Sequence, residues 1–402
     1  MMTEIALQSK SGKKSYLQVL LLSMGHFFND FYCNFLPILL PILIPKLGLS
    51  LTLSGVLVMV MSFTANVLQP VFGYMMDKYN FNKLMPFLIP FGAVFICMTS
   101  WVNEFWLLAV LIALSGLAVS TFHPMGAGLI SKVAPEGKLS SSISIFVAGG
   151  SLGFAFSPIL LVYFMEAFDL KYLPVLILPA FVLGFFMYSS GLSRRRFVNE
   201  QVAKNMHFSF SRLFKHKPLM LLNISMGIRA WVFTALVTFL PLWAMQQGYD
   251  STSGGWILTV YLCGSVIGGL AGGALNDKIG YKKVILWALI LAIFPTMYFL
   301  LISQTGFLIY IALFLSGALS MAANPGAIVW GQNFLPDNPG MASGMMLGLS
   351  FGLGGVGTML TSSVAEWIGL SAALGLTTAL LVVSIVLVYI TPVKLSLKYQ
   401  NL

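Results

Sequence analysis

Charge is what this chain has least of. Only 8% of its residues are Asp, Glu, Lys or Arg, where a soluble globular domain carries roughly 25%. So few charges cannot clothe a water-facing surface. With 58% hydrophobic residues and a mean hydropathy of +0.90, the solvent is lipid. Cysteine is scarce too: Cys33, Cys97 and Cys263 are odd in number, scattered and set in apolar runs. That excludes a disulfide framework or a thiolate metal site. The apolar runs do not alternate with polar residues, which excludes barrel strands. No soluble basic domain exists to carry the net charge of +10 to a nucleic acid.

Chemistry-bearing motifs are equally sparse. Gly352, Gly354 and Gly357 spell a dinucleotide fingerprint, but inside an apolar segment with no preceding strand. His26 and Asp30 are one residue short of the acyltransferase spacing His-x4-Asp, and no nucleophile accompanies them. Asn223-Ile224-Ser225 is a sequon inside a span and is discarded. No enzyme active site, cofactor, metal site or nucleotide-binding module is expected, so ATP-driven pumping is not expected either.

What is present is twelve apolar spans, each near the roughly 20 residues that cross a bilayer as helix. They lie near 17–44, 50–75, 84–102, 105–131, 139–165, 171–191, 218–246, 253–275, 283–303, 306–332, 341–365 and 370–391. The first is too long for a signal peptide and lacks a small-residue cleavage site, so it reads as a retained helix. With both termini cytoplasmic, all of the 22 basic residues except Lys46, Lys171 and Arg229 fall on the inner side, as the positive-inside rule requires. Lys46 and Lys171 fall outside, and Arg229 falls within a span.

The chain is internally doubled. Gly73-Tyr-Met-Met-Asp77-Lys78 is nearly repeated as Gly273-Ala-Leu-Asn-Asp277-Lys278, and Ser115 through Pro124 matches Ser316 through Pro325. Residues 191–217, basic and polar, split the spans six and six. The expected domains are an N-terminal six-helix bundle over 1–190, a cytoplasmic linker over 191–217 and a C-terminal bundle over 218–402. The expected fold is an all-α membrane protein of twelve transmembrane helices in two pseudo-symmetric bundles, with a substrate site at the midplane between repeats.

The doubled charged turn resembles the cytoplasmic signature of the major facilitator superfamily. His26-Phe-Phe-Asn29-Asp30, Leu68-Gln69-Pro70-Val-Phe-Gly73-Tyr74, Phe122-His123-Pro124 and Thr238-Phe-Leu-Pro241-Leu242 further resemble the fosmidomycin-resistance-type antiporters. Members of that family often carry an acid just after the His-Pro and a base a few residues on. Here Met125, Gly126, Ala127 and Gly128 stand there, so a role for that charge pair is absent or moved.

Ionisable groups in hydrocarbon are costly and mark function by default. His26 and Asp30, spaced i, i+4, share a helix face; His123 lies in the fourth span of the same half. Asp30, His26 and His123 are therefore expected to carry protons. The bland alternatives are that Asp30 bonds locally, for instance with Asn34, and that His123 serves carbonyls freed by Pro124. Arg229, at the matching level of the second half, is suited to bidentate binding of a carboxylate or phosphonate. It can also pair with Asp30, or snorkel. Asn29, Asn34, Asn66, Gln69, Trp231, Tyr261, Asn324, Trp330 and Gln332 fill out the expected substrate site, though singly each suits interhelical packing. Gly73, Asp77, Lys78, Gly273, Asp277 and Lys278 read as a gate, each acid expected at a helix N-terminus where the dipole favours it. Gly149, Gly150 and Gly153, like the glycines from 352 to 357, read as close-packing faces.

The expected function is proton-coupled antiport that exports small anionic or amphipathic compounds, drugs included. The alternative is a proton-driven uptake symporter for an organic anion; a membrane enzyme or a transporter-like receptor is the bland competitor. The expected partners are a small-molecule substrate, protons and the lipid bilayer, with no nucleic acid. A monomer in the bacterial inner membrane is expected.

Overall fold

The computed structural model describes residues 2–69, 71, 72, 75, 79, 81–136, 139–194, 216–302, 306–335, 342 and 344–393. Among these there is helix and turn but no strand. The helices are α1 Met2–Cys33, α2 Leu36–Leu47, α3 Leu51–Ser62, α4 Met85–Met98, α5 Phe105–Val133, α6 Leu139–Ala167, α7 Ile177–Ser189, α8 Lys217–Gln246, α9 Ser251–Ile279, α10 Tyr281–Met297, α11 Phe307–Phe334, α12 Ser350–Ile368, α13 Leu370–Ala379 and α14 Leu381–Ile390. Among the described residues, eleven stretches are long and apolar enough to cross a membrane, and Leu51–Val67 adds a shorter apolar helix. Helix is imposed by the solvent: in lipid every backbone N–H and C=O must be satisfied within the segment.

The first span departs from the expected continuous helix. A turn at Asn34 and Phe35 separates α1 from α2; Pro37 has no N–H to continue the ladder across it and falls in the first turn of the new helix, where none is needed. Prolines also sit inside α5 at Pro124, α6 at Pro158, α8 at Pro241 and α11 at Pro325.

The internal repeat is written in the backbone. Gly48 and Gly248 both take left-handed φ, 60° and 88°, where a side chain would be strained. Two residues on, Ser50 and Asp250 each cap a helix, accepting from the amides of Leu53 and Ser253.

By internal contacts the chain forms two compact units. One gathers the described residues of Met1–Phe35, Leu68–Ser157 and Phe164–Met206; the other those of Leu36–Val67, Pro158–Tyr163 and His207–Leu402. Within the first, helices approach at glycines: a methyl group on Gly149 would overlap the Ser23 carbonyl, and one on Gly153 the Phe27 carbonyl. That brings α6 tight against α1. Within the second, α9 and α11 meet at Gly264, Gly268, Gly272 and Gly317, each facing backbone of the other helix. A further seam joins α3 to α12. Gly55 lies on Ser362, Gly355 on Ser62 and Gly352 on Val67, while Glu366 accepts from the Thr52 amide at 2.7 Å. Close approach of small residues is how helices associate where lipid offers no hydrophobic drive.

Of the expected linker, residues 195–215 lie outside the described residues, as do Gly73, Asp77, Lys78 and Asn80. In the second copy of the doubled turn, Asp277 falls in the last turn of α9, and Gly280 at φ 85° separates α9 from α10. The expectation of an acid at a helix N-terminus is corrected here. The left-handed glycine sits three residues after the acid, so Asp277 ends one helix rather than starting the next.

Candidate functional site

Two polar clusters lie within the apolar interior, one in each unit. The first is built on α1, α5 and α6. One turn of α1 puts His26 and Asp30 on the same face, with His26 Nε2 3.3 Å from Asp30 Oδ2. His123, from α5, brings its Nε2 to 3.4 Å from Asp30 Oδ1. Asn29 donates to Asp30 Oδ1 at 3.0 Å and lies 3.4 Å from His123 Nε2. The His26 ring stacks on Phe146 at 4.2 Å. Its Nδ1 lies 2.8 Å from the Phe146 carbonyl oxygen.

That last contact fixes the chemistry of the ring. A carbonyl only accepts, so Nδ1 carries a proton and Nε2 faces the carboxylate. Two lone pairs would oppose each other at 3.3 Å unless a cation stands between them. His123 Nε2 is poised between a donor, the Asn29 amide, and an acceptor, Asp30. It can therefore accept when unprotonated and donate when protonated. Gly150 makes room for this arrangement: a Cβ there would overlap His26 Nε2 and lie 2.6 Å from its Cδ2 and Cε1.

The alternative pairing of Asp30 with Asn34 is not what the structure contains. Asn34 donates to the Phe154 carbonyl at 2.8 Å, tying the turn after α1 to α6. Nor is His123 spent on freed carbonyls, since the contacts found for its ring nitrogen are Asp30 and Asn29.

The second cluster surrounds Arg229 of α8, which is 1% exposed. Its Nη1 donates to the Ser320 carbonyl at 3.3 Å and its Nη2 to Asn324 Oδ1 at 3.4 Å. The guanidinium lies over the Phe351 ring at 5.3 Å, and Nε has no hydrogen-bond partner. Among the described residues no carboxylate stands within ion-pair distance of it. Tyr261 joins through aromatic contacts: its ring meets Phe233 at 5.7 Å, and Phe233 meets Phe351 at 6.2 Å. Depth rules out snorkelling, because the head of the side chain is as buried as its stem.

The clusters are related by the repeat. Asn29 and Arg229 are 200 positions apart and His123 and Asn324 are 201 apart; Asn29 meets His123 at 3.4 Å in one unit and Arg229 meets Asn324 at 3.4 Å in the other. The same two backbone positions have come to hold a carboxylate's partners in one unit and a guanidinium in the other.

Other expected site residues are occupied locally. Trp231 donates to Thr361 Oγ1 at 2.8 Å and its ring covers Gly357, so it fastens α8 to α12. Trp330 is fully buried beside Tyr281 and Phe334, at the α9–α10 turn and not at Arg229. Asn66 donates to the Ser62 carbonyl of its own helix at 3.1 Å. Gln69 and Gln332 are half-buried. Gly273 faces Pro325 and Lys278 is exposed. Sequence reading missed Phe146, Ser320 and Phe351, which hold the key side chains by a carbonyl or a ring face; only the glycine spacing in α6 hinted at the first. The three side chains expected to carry protons lie together: the nearest nitrogen and oxygen atoms of His26, Asp30 and His123 all lie within 4.8 Å of one another.

A many-spanning helical chain with buried charges at repeat-related positions is a membrane carrier. The profile of the Major Facilitator Superfamily matches residues 22–254 and 244–399, and the chain belongs to that family of secondary transporters. It is 24% identical to the Fosmidomycin resistance protein of Escherichia coli (strain K12) over 362 residues, covering 86% of this chain and 85% of that one. It is also 24% identical to the MFS-type transporter YfnC of Bacillus subtilis (strain 168), covering 90% of each. Among solved structures, the nucleoside transporter NupG superposes with a TM-score of 0.74 at 14% identity, over 93% of this chain and 98% of that one. The fucose:proton symporter FucP of E. coli gives 0.63 at 16% identity, over 94% and 99%. These likenesses establish the fold.

Proposed function

We propose that this transporter exchanges protons for small anionic or amphipathic compounds and exports them, phosphonate antibiotics among the candidates. The observation that carries the reading is the carboxylate of Asp30 between two imidazoles, with the His26 tautomer tied down by Phe146. One proton shared there relieves the opposed lone pairs, and its loss restores them, so the cluster has two states of different charge. Arg229 supports the anionic class: a buried guanidinium with no carboxylate beside it among the described residues carries an uncompensated charge that an anion would neutralise. The name of the Escherichia coli relative supports efflux. Bacterial relatives and the one-sided basic residues support a bacterial cytoplasmic membrane with both termini inside. Asp277 and Lys278, with the first copy of the turn, remain the proposed gate.

The test is proton flux in proteoliposomes read with a pH-sensitive dye, wild type beside Asp30→Asn, across a panel of anions that includes fosmidomycin. A candidate that moves protons in the wild type and not in the variant is the expected outcome. Proton movement of the opposite sign would make the protein an uptake symporter. Wild-type behaviour in Asp30→Asn would remove Asp30 from the coupling role.

A further inference from the structure

We infer that His26, Asp30 and His123 form a binding site for a divalent transition-metal ion of the zinc class. The inference rests on ligand geometry alone and does not depend on proton coupling. Two imidazole nitrogens and one carboxylate are the donor set of borderline metals such as Zn²⁺, Co²⁺ and Ni²⁺, and not of Mg²⁺ or Ca²⁺, which prefer all-oxygen shells.

The spacings fit. Bonds of about 2.0–2.1 Å to nitrogen and oxygen give a tetrahedral edge of ~3.4 Å. Two nitrogen–oxygen separations match it, 3.3 Å from His26 Nε2 to Asp30 Oδ2 and 3.4 Å from His123 Nε2 to Asp30 Oδ1, so each carboxylate oxygen faces one imidazole and the ion would meet the carboxylate through both. The two histidine nitrogens lie within 4.8 Å of each other, and the rings meet edge to face at 5.1 Å. The supporting contacts are those of a metal-binding histidine. Nδ1 of His26 is engaged by a backbone carbonyl at 2.8 Å, which leaves Nε2 as the lone-pair nitrogen and holds its ring plane. Phe146 and Gly150 sandwich that ring. Access exists as well: the Asp30 and His123 side chains are 17% and 26% exposed.

The site takes either the metal or the shared proton, since both occupy the gap between Nε2 of His26 and Asp30. A metal ion of this class therefore acts as a blocker of the proposed coupling centre.

The experiment uses the purified, tag-free full chain in detergent, titrated with Co²⁺ as a spectroscopic stand-in for Zn²⁺. Expected are saturable ligand-field bands at one Co²⁺ per chain, displaced by Zn²⁺. Asp30→Asn and His123→Gln are expected to weaken binding more than about tenfold, and His216→Gln, which caps α8 and belongs to the other unit, to leave it unchanged. A hydrated octahedral Co²⁺ spectrum in the wild type overturns the inference, as does equal affinity in both triad variants. Elution profile and melting temperature identify any variant that fails to fold, and the wild-type titration stands without the variants. Proton flux in chelator-treated liposomes is read separately. Metal binding without flux sinks the coupling proposal alone, and flux without metal binding sinks this one alone.

Discussion

Gly150 offers a sharp test of how the first cluster is assembled. A Cβ at this position overlaps the His26 ring at three of its atoms, Nε2, Cδ2 and Cε1. The ring cannot yield toward Phe146, on which it is already stacked at 4.2 Å. Gly150→Ala must therefore move the ring or part α6 from α1. Overpacking of this kind costs about 1–3 kcal/mol, and losing the bond from His26 Nδ1 to the Phe146 carbonyl costs about 1 kcal/mol more. Alanine in place of glycine returns roughly 0.8–1.0 kcal/mol of helix propensity. The expected net destabilisation is about 1–3 kcal/mol. Gly128→Ala is the control: nothing lies within 4 Å of its Cβ, so it should gain the propensity term alone. Reversible unfolding in mixed micelles, or melting in detergent, reads both. Adding His26→Ala to Gly150→Ala should recover most of the overpacking cost, because the clash needs both partners. If Gly150→Ala proves as stable as Gly128→Ala, the ring is not held by the space this glycine leaves, and the geometry argued for the triad fails with it.

Three further outcomes follow from the structure. Ser225 and Ser384 clamp α8 to α14: their hydroxyl oxygens lie 2.7 Å apart and each is within reach of the other's carbonyl, at 3.0 and 2.9 Å, so the two hydroxyl protons are shared among three contacts. A double-mutant cycle to alanine should give a coupling of ~0.6 kcal/mol and no more than ~1.7 kcal/mol, and zero coupling would refute the clamp. Trp231→Phe keeps the cover over Gly357 but loses the bond to Thr361, so it should cost about 1 kcal/mol; a loss of substrate binding with stability unchanged would return Trp231 to the site. Asp250 accepts the Ser253 amide at the start of α9, which holds its carboxyl below the ordinary 3.8. A lowered folded value contributes stability that is fully present above the unfolded value and is lost as pH falls through the folded one. The melting-temperature gap between wild type and Asp250→Ala should thus be constant at pH 5–7 and shrink below about pH 4; a gap that widens on acidification would contradict the cap.

Legibility followed what each signal depends on. The spans were readable because lipid forces long apolar helices, and from the third span on their expected bounds lie within a few residues of the helices found; α1 begins earlier, at Met2, and the second span, expected over 50–75, is described as helix over Leu51–Val67. The break after Cys33 was missed because apolar composition continues across it; a proline four residues on was the mark. In the first cluster, His26 with Asp30 was legible from helical spacing. His123 was legible as a partner only because the doubled motif placed its span in the same half. Phe146 was not legible, since what it contributes is a carbonyl oxygen, which every residue has. Around Arg229 the same holds for Ser320, while Asn324 was visible as the repeat mate of His123. Trp330 misled because a buried tryptophan signals a large packed surface wherever it stands. Asp277 misled because sequence shows a charged turn without showing which helix owns the charge.

The seam between α3 and α12 has a mechanical consequence. Gly55, Gly352 and Gly355 seat the small side chains of Ser362, Val67 and Ser62 directly on backbone, so much of the attraction there is dispersion at contact distance. Such attraction is steep: a gap of roughly 0.5–1 Å already forfeits a quarter to a half of it, and lipid tails fill the opening without penalty. Bulky interdigitating side chains would slide and stretch before letting go. This joint behaves as a snap fastener, holding at full strength until a small displacement and then hardly at all, with the carboxylate of Glu366 on the Thr52 amide as the catch at one end.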